Sequence, residues 1–394
     1  MLNITDLRAE NCIPPLLRLG FRPFFLAGAL YAIVAVLVWV YAFQKGQPAA
    51  LSVPALWWHV HEMFFGFAMA IVAGFVLTAV QNWTGVNGTK GKVLAIIFSL
   101  WLLPRLLFWT PAPLWLVSSI EALFLLAVAW EVGWRVFKTK GWRNLFFIPM
   151  FLLATVANFA SYAAIKGMPP FPASAVWQSM MWWFVLLLAI MGGRVIPFFT
   201  ARRFQFEKPQ PIVWLEWVAN FPLVLLFITS FFPLLPPQIG QWLMLTSAVG
   251  QFYRVARWKP WKTLSEPLVW SLHLAYLCIP LGLAIKGLTS DSFVNHTMIH
   301  LFALGALGGL ILSMISRVTM GHTGREIYKG PSMWLAFGAL ILAAVLRAIG
   351  VSVMPSYMMG FIHVSALLWV VAFGMFVCHF APMLCTPRVD GRPG

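Results

Sequence analysis

Histidine and glutamate occur close together in a segment that is otherwise apolar enough to cross a membrane. Residues 58–67 read "WHVHEMFFGF", which contains His59, His61 and Glu62. An ionisable side chain in hydrocarbon is costly unless it is neutral, paired or bound to something. The segment therefore predicts a polar site within the membrane, at which imidazole and carboxylate groups are available as ligands.

The spacing of these residues indicates which of them share a helix face. His59 and Glu62 are three positions apart, so on a regular helix the carboxylate could orient the imidazole or bind beside it. His61 is two positions from His59, which turns it about 200° around the helix. The two histidines are therefore expected to serve different partners.

A second histidine pair lies far along the chain. His296 and His300 are four positions apart, so they occupy one helix face and could hold one metal ion. Neutral imidazole is the usual ligand of haem iron and also suits copper. The predicted ligands of a shared haem or copper site are His59, His61, Glu62, His296, His300 and His363. For each histidine, a structural hydrogen bond between helices is the open alternative.

The composition identifies the elements that must position these residues. The 394-residue chain is 61% hydrophobic and 10% charged, whereas a soluble domain has about 25% charged residues. Lipid is therefore the predicted solvent, and runs of about 18 to 25 apolar residues have the length of membrane-spanning helices. Twelve such runs occur, near 23–43, 56–80, 92–109, 113–137, 142–165, 175–197, 212–231, 238–258, 266–286, 294–319, 331–349 and 355–380.

The separators between the runs are short and contain Pro, Gly or charged residues. We predict an all-α integral membrane protein of about twelve transmembrane helices that forms one membrane domain over residues 1–394. Its tails would be residues 1–22 and 381–394. The four cysteines show no paired spacing, so neither a disulfide framework nor a thiolate metal site is predicted.

The distribution of Lys and Arg predicts the orientation. The net charge is +16, but the basic residues lie in short loops rather than in one patch, which argues against nucleic acid as a partner. All but five of the 27 Lys and Arg fall on one predicted side, the exceptions being Lys45, Arg105, Lys166, Lys286 and Arg347. Under the positive-inside rule both termini are cytoplasmic. His59, His61, His296, His300 and His363 then lie roughly 3 to 13 Å below the outer boundary.

Two arginines at predicted outer helix ends are candidates for cofactor binding. Arg105 and Arg347 could hold the propionates of a haem, because guanidinium groups pair with carboxylates. The alternative is that each side chain extends to the membrane interface and keeps its charge in water.

Several motifs along the chain together resemble the NnrS family. They are "LRLGFRPFF" (17–25), "WHVHEMFFGF" (58–67), "GFVLTAVQNWTG" (74–85), "GGRVIPFFT" (192–200), "SRVTMGHTGR" (316–325) and "APMLCTPRVDGRPG" (381–394). The resemblance implies a twelve-helix protein of the bacterial cytoplasmic membrane that contains haem and copper. It also implies a role in nitric oxide metabolism or resistance to nitrosative stress, with nitric oxide or a related small nitrogen oxide as partner. It defines no reaction and no electron donor.

The predicted architecture also has a likeness to the haem–copper oxidases. Those proteins place haem-ligating histidines on helices 2 and 10 near the outer face, and the present chain matches both helices. It departs on helices 6 and 7, which have no histidine. The usual three-histidine copper site cannot be built in the same way, and a likeness of fold alone carries no function.

Two further functions remain open from the sequence. A secondary transporter is one, because twelve helices is a common number in transporters, although acidic residues within the predicted helices are few. A haem or copper assembly factor for a nitrogen-oxide reductase is the other. The optical spectrum and metal content of the purified protein would separate transport from the haem and copper readings.

Overall fold

The computed structural model describes residues 10–168, 172–231 and 236–393, and all regular secondary structure in this part of the chain is helical. Twelve long helices follow one another, each on one of the apolar segments predicted from the sequence. Their bounds are α1 Phe21–Lys45, α2 Ala55–Thr84, α3 Gly91–Leu107, α4 Leu114–Lys138, α5 Phe147–Ile165, α6 Ala173–Phe204, α7 Val213–Phe231, α8 Pro237–Arg257, α9 Pro267–Leu288, α10 Ser292–His322, α11 Trp334–Val353 and α12 Met358–Cys385.

Ten of the described helices are long and apolar enough to cross a membrane. The other two are α3, which has 17 residues, and α8, which has 21 residues and carries buried Gln251 and Arg254. About 20 residues cross the hydrocarbon core, so α3 is short for a crossing and α8 is polar for one. The prediction of an all-α, multi-pass membrane protein is confirmed.

The helices group into two compact units. The first unit comprises Met1–Ala173, Arg317–Gly330 and Phe376–Gly394, and therefore contains α1 to α5. The second comprises Ser174–Ser316 and Pro331–Met375 and contains most of the remaining helices. The prediction that residues 1–394 form a single domain stays a prediction.

A buried arginine joins four helices of the second unit. Nη1 of Arg254 in α8 donates to Oε1 of Gln251 and to the hydroxyl of Tyr276, each at 2.7 Å. Nε donates to Oε1 of Glu216 at 3.2 Å, and Nη2 donates to the carbonyl of Ala189 at 3.1 Å. A buried charge is tolerated only when it is paired and hydrogen-bonded. This network satisfies Arg254 and ties α6, α7, α8 and α9 together.

The tail after α12 folds back onto the first unit, at the end where α1 begins. Nη1 of the fully buried Arg22 donates to the carbonyls of Leu384 and Thr386, at 2.8 and 2.7 Å. The backbone N–H of Val389 donates to the carbonyl of Thr323 at 3.2 Å. Carbonyl groups at a helix C-terminus carry partial negative charge, which suits a guanidinium group. The contact brings together three of the quoted motifs, at 17–25, 316–325 and 381–394.

The fold of the tail should depend on pH through Asp390. The guanidinium of Arg388 donates to both carboxylate oxygens of Asp390, at 2.9 and 2.6 Å, and holds the pKa of this group at about 2, below its ordinary value of 3.8. A lowered folded-state pKa stabilises the folded tail above the ordinary pKa, and this contribution is lost as pH falls from 3.8 towards 2. We expect amide hydrogen exchange in residues 386–393 to become about tenfold faster, after correction for intrinsic rates, over this pH range.

Asp390→Asn provides the matched control for this prediction. It removes the titrating carboxylate, so exchange in the tail should already be fast at pH 6 and should not change on acidification. A wild-type tail whose corrected exchange rate is the same at pH 6 and pH 2.5 would contradict the assigned role of Asp390.

Candidate functional site

Helix α2 changes its geometry directly after the two histidines. Residues Ala55–His61 are α-helical, Glu62–Ala68 form a π-helical segment, and the α-helix resumes at Met69. Such segments occur frequently at functional sites. Two further π-helical segments, Leu301–Gly308 and Leu346–Gly350, lie directly after His300 and around Arg347. All three therefore coincide with segments in which the sequence predicted site residues.

His61 lies at the centre of a buried polar cluster in the first unit. Its Nδ1 is 2.9 Å from Oε1 of Glu62, and its Nε2 is 3.2 Å from Oε2 of Glu121 in α4. Nε2 also lies 3.4 Å from Oδ1 of Asn158 in α5. Because both ring nitrogens face acceptor oxygens, both donate in this arrangement, which is the charged form of the imidazole. Glu62 thus binds His61, whereas the regular helix assumed from the sequence made His59 its partner.

Arg105 supplies the second positive charge of the cluster. Its Nε and Nη2 donate to Oε2 and Oε1 of Glu62, at 2.9 and 3.1 Å, in a two-bond fork. Nη2 also donates to Oε1 of Glu121, and Nη1 donates to the carbonyl of Trp101 at 2.8 Å. The side chain is buried, so Arg105 does not extend to the membrane interface. Arg105 was predicted to be available to a haem propionate, but its guanidinium group is hydrogen-bonded to Glu62 and Glu121.

Two tyrosines complete the hydrogen bonding of the carboxylates. The hydroxyl of Tyr31 in α1 donates to Oε2 of Glu62, and that of Tyr162 in α5 donates to Oε2 of Glu121 at 3.1 Å. A Cβ at Gly66 would collide with the Tyr31 ring and with Oε2 of Glu62. Glycine at this position therefore leaves room beside α2 for the Tyr31 ring of α1 and for the Glu62 carboxylate.

The imidazole of His61 is fixed in orientation by aromatic rings. It stacks between Trp57 and Phe65, with ring centroids 4.3 and 4.7 Å away. The indole N–H of Trp57 donates to the carbonyl of Ser161 at 3.0 Å, which holds that ring in place. The stacking leaves only the edge of the imidazole, with its two nitrogens, for polar partners.

The charges of the cluster balance. Glu62 and Glu121 carry two negative charges, and Arg105 and the doubly protonated His61 carry two positive charges, all of them on fully or almost fully buried side chains. The effective cost of taking one ion out of water is several kcal/mol. The equal numbers of positive and negative charges and their mutual hydrogen bonds offset this cost.

His61, Glu62 and Glu121 could also hold a metal ion. One ligand atom from each of the three lies within 4.8 Å of the other two. An imidazole nitrogen and two carboxylate oxygens suit a first-row divalent ion, and the sequence had predicted two of the three as metal ligands. The same arrangement does not suit haem iron at His61, because both ring nitrogens face oxygen atoms and neither is open to an axial position.

The other predicted site residue of the first unit is His59. Its ring stacks on Trp39 of α1, with centroids 4.5 Å apart and ring planes 10° apart. It therefore faces α1, whereas His61 faces α4 and α5. The prediction that the two histidines have different partners agrees with this geometry.

The remaining predicted residues belong to the second unit. His296 is exposed, and its Nδ1 contacts the carbonyl of Ser292 at 2.7 Å. His300, Arg347 and His363 are each half-buried. Because these residues and the α2 histidines lie in different units, the shared site of α2, α10 and α12 stays a prediction.

Sequence reasoning missed four members of the cluster, namely Tyr31, Glu121, Asn158 and Tyr162. Glu121 carried the clearest signal, because it is an acidic residue in the middle of an apolar run. The two tyrosines and the asparagine carried no comparable signal in the sequence, since each is compatible with ordinary helix packing. Their role depends on which helices are neighbours.

The comparison with known protein families extends over nearly the whole chain. The family model described as NnrS protein matches residues 15–388. The matched region includes every residue of the buried cluster and every histidine of the chain. No curated protein matches the sequence.

Proposed function

Because the chain belongs to the NnrS family, we propose that it is a membrane metalloprotein that acts in the cellular response to nitric oxide. The metal ion is copper, bound by His61, Glu62 and Glu121, and a haem is bound by histidines outside this set. The membrane is the bacterial cytoplasmic membrane. The observation that supports the proposal most is the buried set of one imidazole and two carboxylates whose ligand atoms lie within 4.8 Å of one another.

The donor set is consistent with copper among the divalent metals. Imidazole suits copper, zinc and iron, and copper(II) binds most tightly of the first-row divalent ions to a given nitrogen and oxygen site. His61 must lose a proton to become a ligand, so binding of the metal releases protons. Tyr31 and Tyr162 already donate to the two carboxylates, which orients the oxygen atoms that would face the ion.

A bound copper ion would supply one-electron chemistry and a coordination position for nitric oxide. The chain itself supplies a water-poor setting, because Trp57, Phe65 and Phe108 surround the imidazole. Arg105 would stay paired with the two carboxylates, so with His61 neutral a bound divalent ion would give the set a net charge of one positive unit. Nitric oxide is small and neutral and reaches such a site through lipid without a polar pathway.

Metal analysis of variants tests the proposed copper site. In His61→Gln, which keeps a hydrogen-bonding side chain but removes the imidazole, we expect the copper content per folded protein to fall tenfold or more, the range that loss of a supporting residue already reaches. His379→Gln, at an exposed histidine of α12, is the matched control and should keep the wild-type content. The measurement is elemental analysis of monodisperse protein after dialysis against a copper buffer.

A folded His61→Gln protein with wild-type copper content would refute the site. To guard against misfolding, the thermal midpoint and elution profile of both variants are compared with wild type. Glu121→Gln serves as an independent second variant, because it removes a different ligand from a different helix.

The haem part of the proposal rests on His59, His296, His300 and His363, with Arg347 as the candidate partner of a propionate. A visible spectrum of the purified protein, oxidised and reduced, is its direct test. A colourless and metal-free but folded preparation would instead support the secondary transporter. A protein that is fully loaded with haem and copper, but whose visible spectrum does not change when nitric oxide is added, would favour the assembly factor.

A further inference from the structure

A lysine is buried in the last turn of α9, in the second unit. The side chain of Lys286 is only 9% exposed, although α9 ends close by at Leu288. By the charge distribution of the chain, this end of α9 lies on the predicted outer side. A lysine near the end of a membrane helix commonly extends its ammonium group into water. Lys286 is instead enclosed by the protein.

The ammonium group of Lys286 is held in place by α10. Its Nζ donates to the carbonyl of Asn295 at 2.8 Å. Within the described part of the chain Nζ has no second acceptor, although an ammonium group has several hydrogens to donate. The position of the charge is therefore fixed, whereas these residues use only part of its capacity as a donor.

No carboxylate is paired with Lys286 among the residues that the structure describes. The ion pairs between helices of the second unit do not include this lysine. Asp291, the nearest acidic residue along the chain, is exposed, and its carboxylate accepts the backbone N–H groups of Phe293 and Val294 at the start of α10. The buried Arg254, by contrast, is paired with a glutamate of α7.

The segments outside the described residues do not supply the missing charge. Residues 169–171 and 232–235 read PPF and FPLL, so they contain no ionisable side chain. Asp6 is in the amino-terminal tail, which is predicted to be on the opposite, cytoplasmic side. A backbone carbonyl from residues 232–235 would add a hydrogen bond to Lys286 without neutralising its charge. A buried charge is normally paired, and the chain offers Lys286 no negative partner on its own side.

Two side-chain amides lie beside the same turn of the chain. Nε2 of Gln241 in α8 donates to the carbonyl of Thr289 at 3.1 Å, and Nδ2 of Asn295 donates to this carbonyl at 3.4 Å. The turn between α9 and α10 therefore has nitrogen donors from α8, α9 and α10 around it. Hydrogen bonds to an anion are strongest when the donor is charged, as the ammonium group of Lys286 is.

We propose that Lys286 binds a small, singly charged oxyanion at the outer end of the second unit. One negative charge neutralises the buried ammonium group, and the oxygen atoms of the anion accept hydrogen bonds from Nζ. Because so little of Lys286 is exposed, the site suits an ion of a few atoms better than a lipid headgroup with its acyl chains. Nitrite, nitrate, formate and bicarbonate have this size and charge. The inference depends neither on the metal site nor on the proposed role in the response to nitric oxide.

The test uses the full-length protein in a neutral detergent, with nitrite as the probe. Sodium nitrite replaces sodium gluconate, whose anion is much larger, at constant ionic strength, and the thermal midpoint is followed as a function of nitrite concentration. The test variant is Lys286→Gln, which keeps a hydrogen-bond donor for the Asn295 carbonyl and removes the charge. The matched control is Lys166→Gln, at an exposed lysine of the predicted outer side.

We expect nitrite to raise the thermal midpoint of wild type and control. Lys286→Gln should need at least about tenfold more nitrite for half of this effect, because hydrogen bonds to charged groups are the stronger ones. Without nitrite, the midpoint of Lys286→Gln should equal or exceed that of wild type, since the variant buries no uncompensated charge. Lys286→Arg keeps the charge and should still respond to nitrite, which separates loss of the site from poor folding.

The same half-effect concentration of nitrite in Lys286→Gln and in the control would overturn the site, and so would a wild-type midpoint that does not respond to nitrite. Phosphatidylglycerol is added in a parallel titration. A rise of the midpoint that depends on Lys286 and occurs with phosphatidylglycerol but not with nitrite would overturn the small ion as the ligand and assign the phosphate of a lipid headgroup.

Discussion

Replacing Arg105 by leucine should strongly destabilise the first unit. The substitution leaves the carboxylates of Glu62 and Glu121 buried with only His61 as a positive partner. Removing one member of a buried ion pair costs about 3–5 kcal/mol, which is a large part of the stability of most proteins. We expect the yield of monodisperse protein in detergent to fall severalfold and the thermal midpoint of the remainder to drop by many degrees.

Charge-balancing variants separate this effect from simple loss of packing. Glu62→Gln added to Arg105→Leu removes one negative charge together with the positive one, so part of the lost stability should return. Arg105→Lys keeps the charge but cannot form the two-bond fork to Glu62, and an intermediate midpoint is expected. Wild-type stability of Arg105→Leu in metal-free protein would mean that the guanidinium group does not neutralise the two glutamates.

A single added methyl group should disrupt the second unit. A Cβ at Gly193 of α6 would overlap Nη2 of Arg254. Arg254 cannot move aside easily, because Gln251, Tyr276 and Glu216 hold its other donors. Overpacking of this kind costs about 1–3 kcal/mol, and a displaced Arg254 would also lose its hydrogen bonds. We expect Gly193→Ala to lower the thermal midpoint, which a glycine-to-alanine change in an open helical position should not do.

Gly338→Ala is the matched control, since it makes the same change in α11, where a Cβ has no neighbour within 4 Å. Alanine in an open helical position stabilises by about 0.4–1 kcal/mol, because the unfolded chain loses conformational freedom. The two variants should therefore shift the midpoint in opposite directions. Equal midpoints for both would show that α6 and α8 do not approach each other closely at Gly193.

The cluster around His61 in the first unit and the network around Arg254 in the second unit are built from the same kinds of side chain. In each, one buried arginine binds glutamate and a tyrosine hydroxyl lies against the same group of polar side chains. Glu216 is partly exposed, whereas Glu62 and Glu121 are fully buried. A histidine with both nitrogens at carboxylate oxygens is found in the first cluster. That difference is why we place the metal site at His61 and treat Arg254 as an element of packing.

Several features of this protein follow from the sequence without any tertiary information. Most helix bounds were predicted to within a few residues, for example 23–43 for α1 at Phe21–Lys45 and 212–231 for α7 at Val213–Phe231. The largest difference is at the end of α6, which was predicted at residue 197 and lies at Phe204. The reason is that the need to satisfy every backbone N–H and C=O within lipid makes each long apolar run helical on its own. The cost of burying charge likewise marked His61, Glu62 and Arg105 as residues that require partners.

Only the tertiary structure determined which residues pair with His61, Glu62 and Arg105. The sequence paired Glu62 with His59 on a regular helix, but α2 turns π-helical at Glu62 and the carboxylate meets His61 and Arg105 instead. Glu121 and Tyr162 joined the cluster only because α4 and α5 pack beside α2 in this fold. Helix formation depends on local hydrogen bonds and hydropathy, which a sequence displays directly. Pairing of buried charges depends on helix neighbours and on the rotation of each helix about its axis, and these are set by packing over the whole unit.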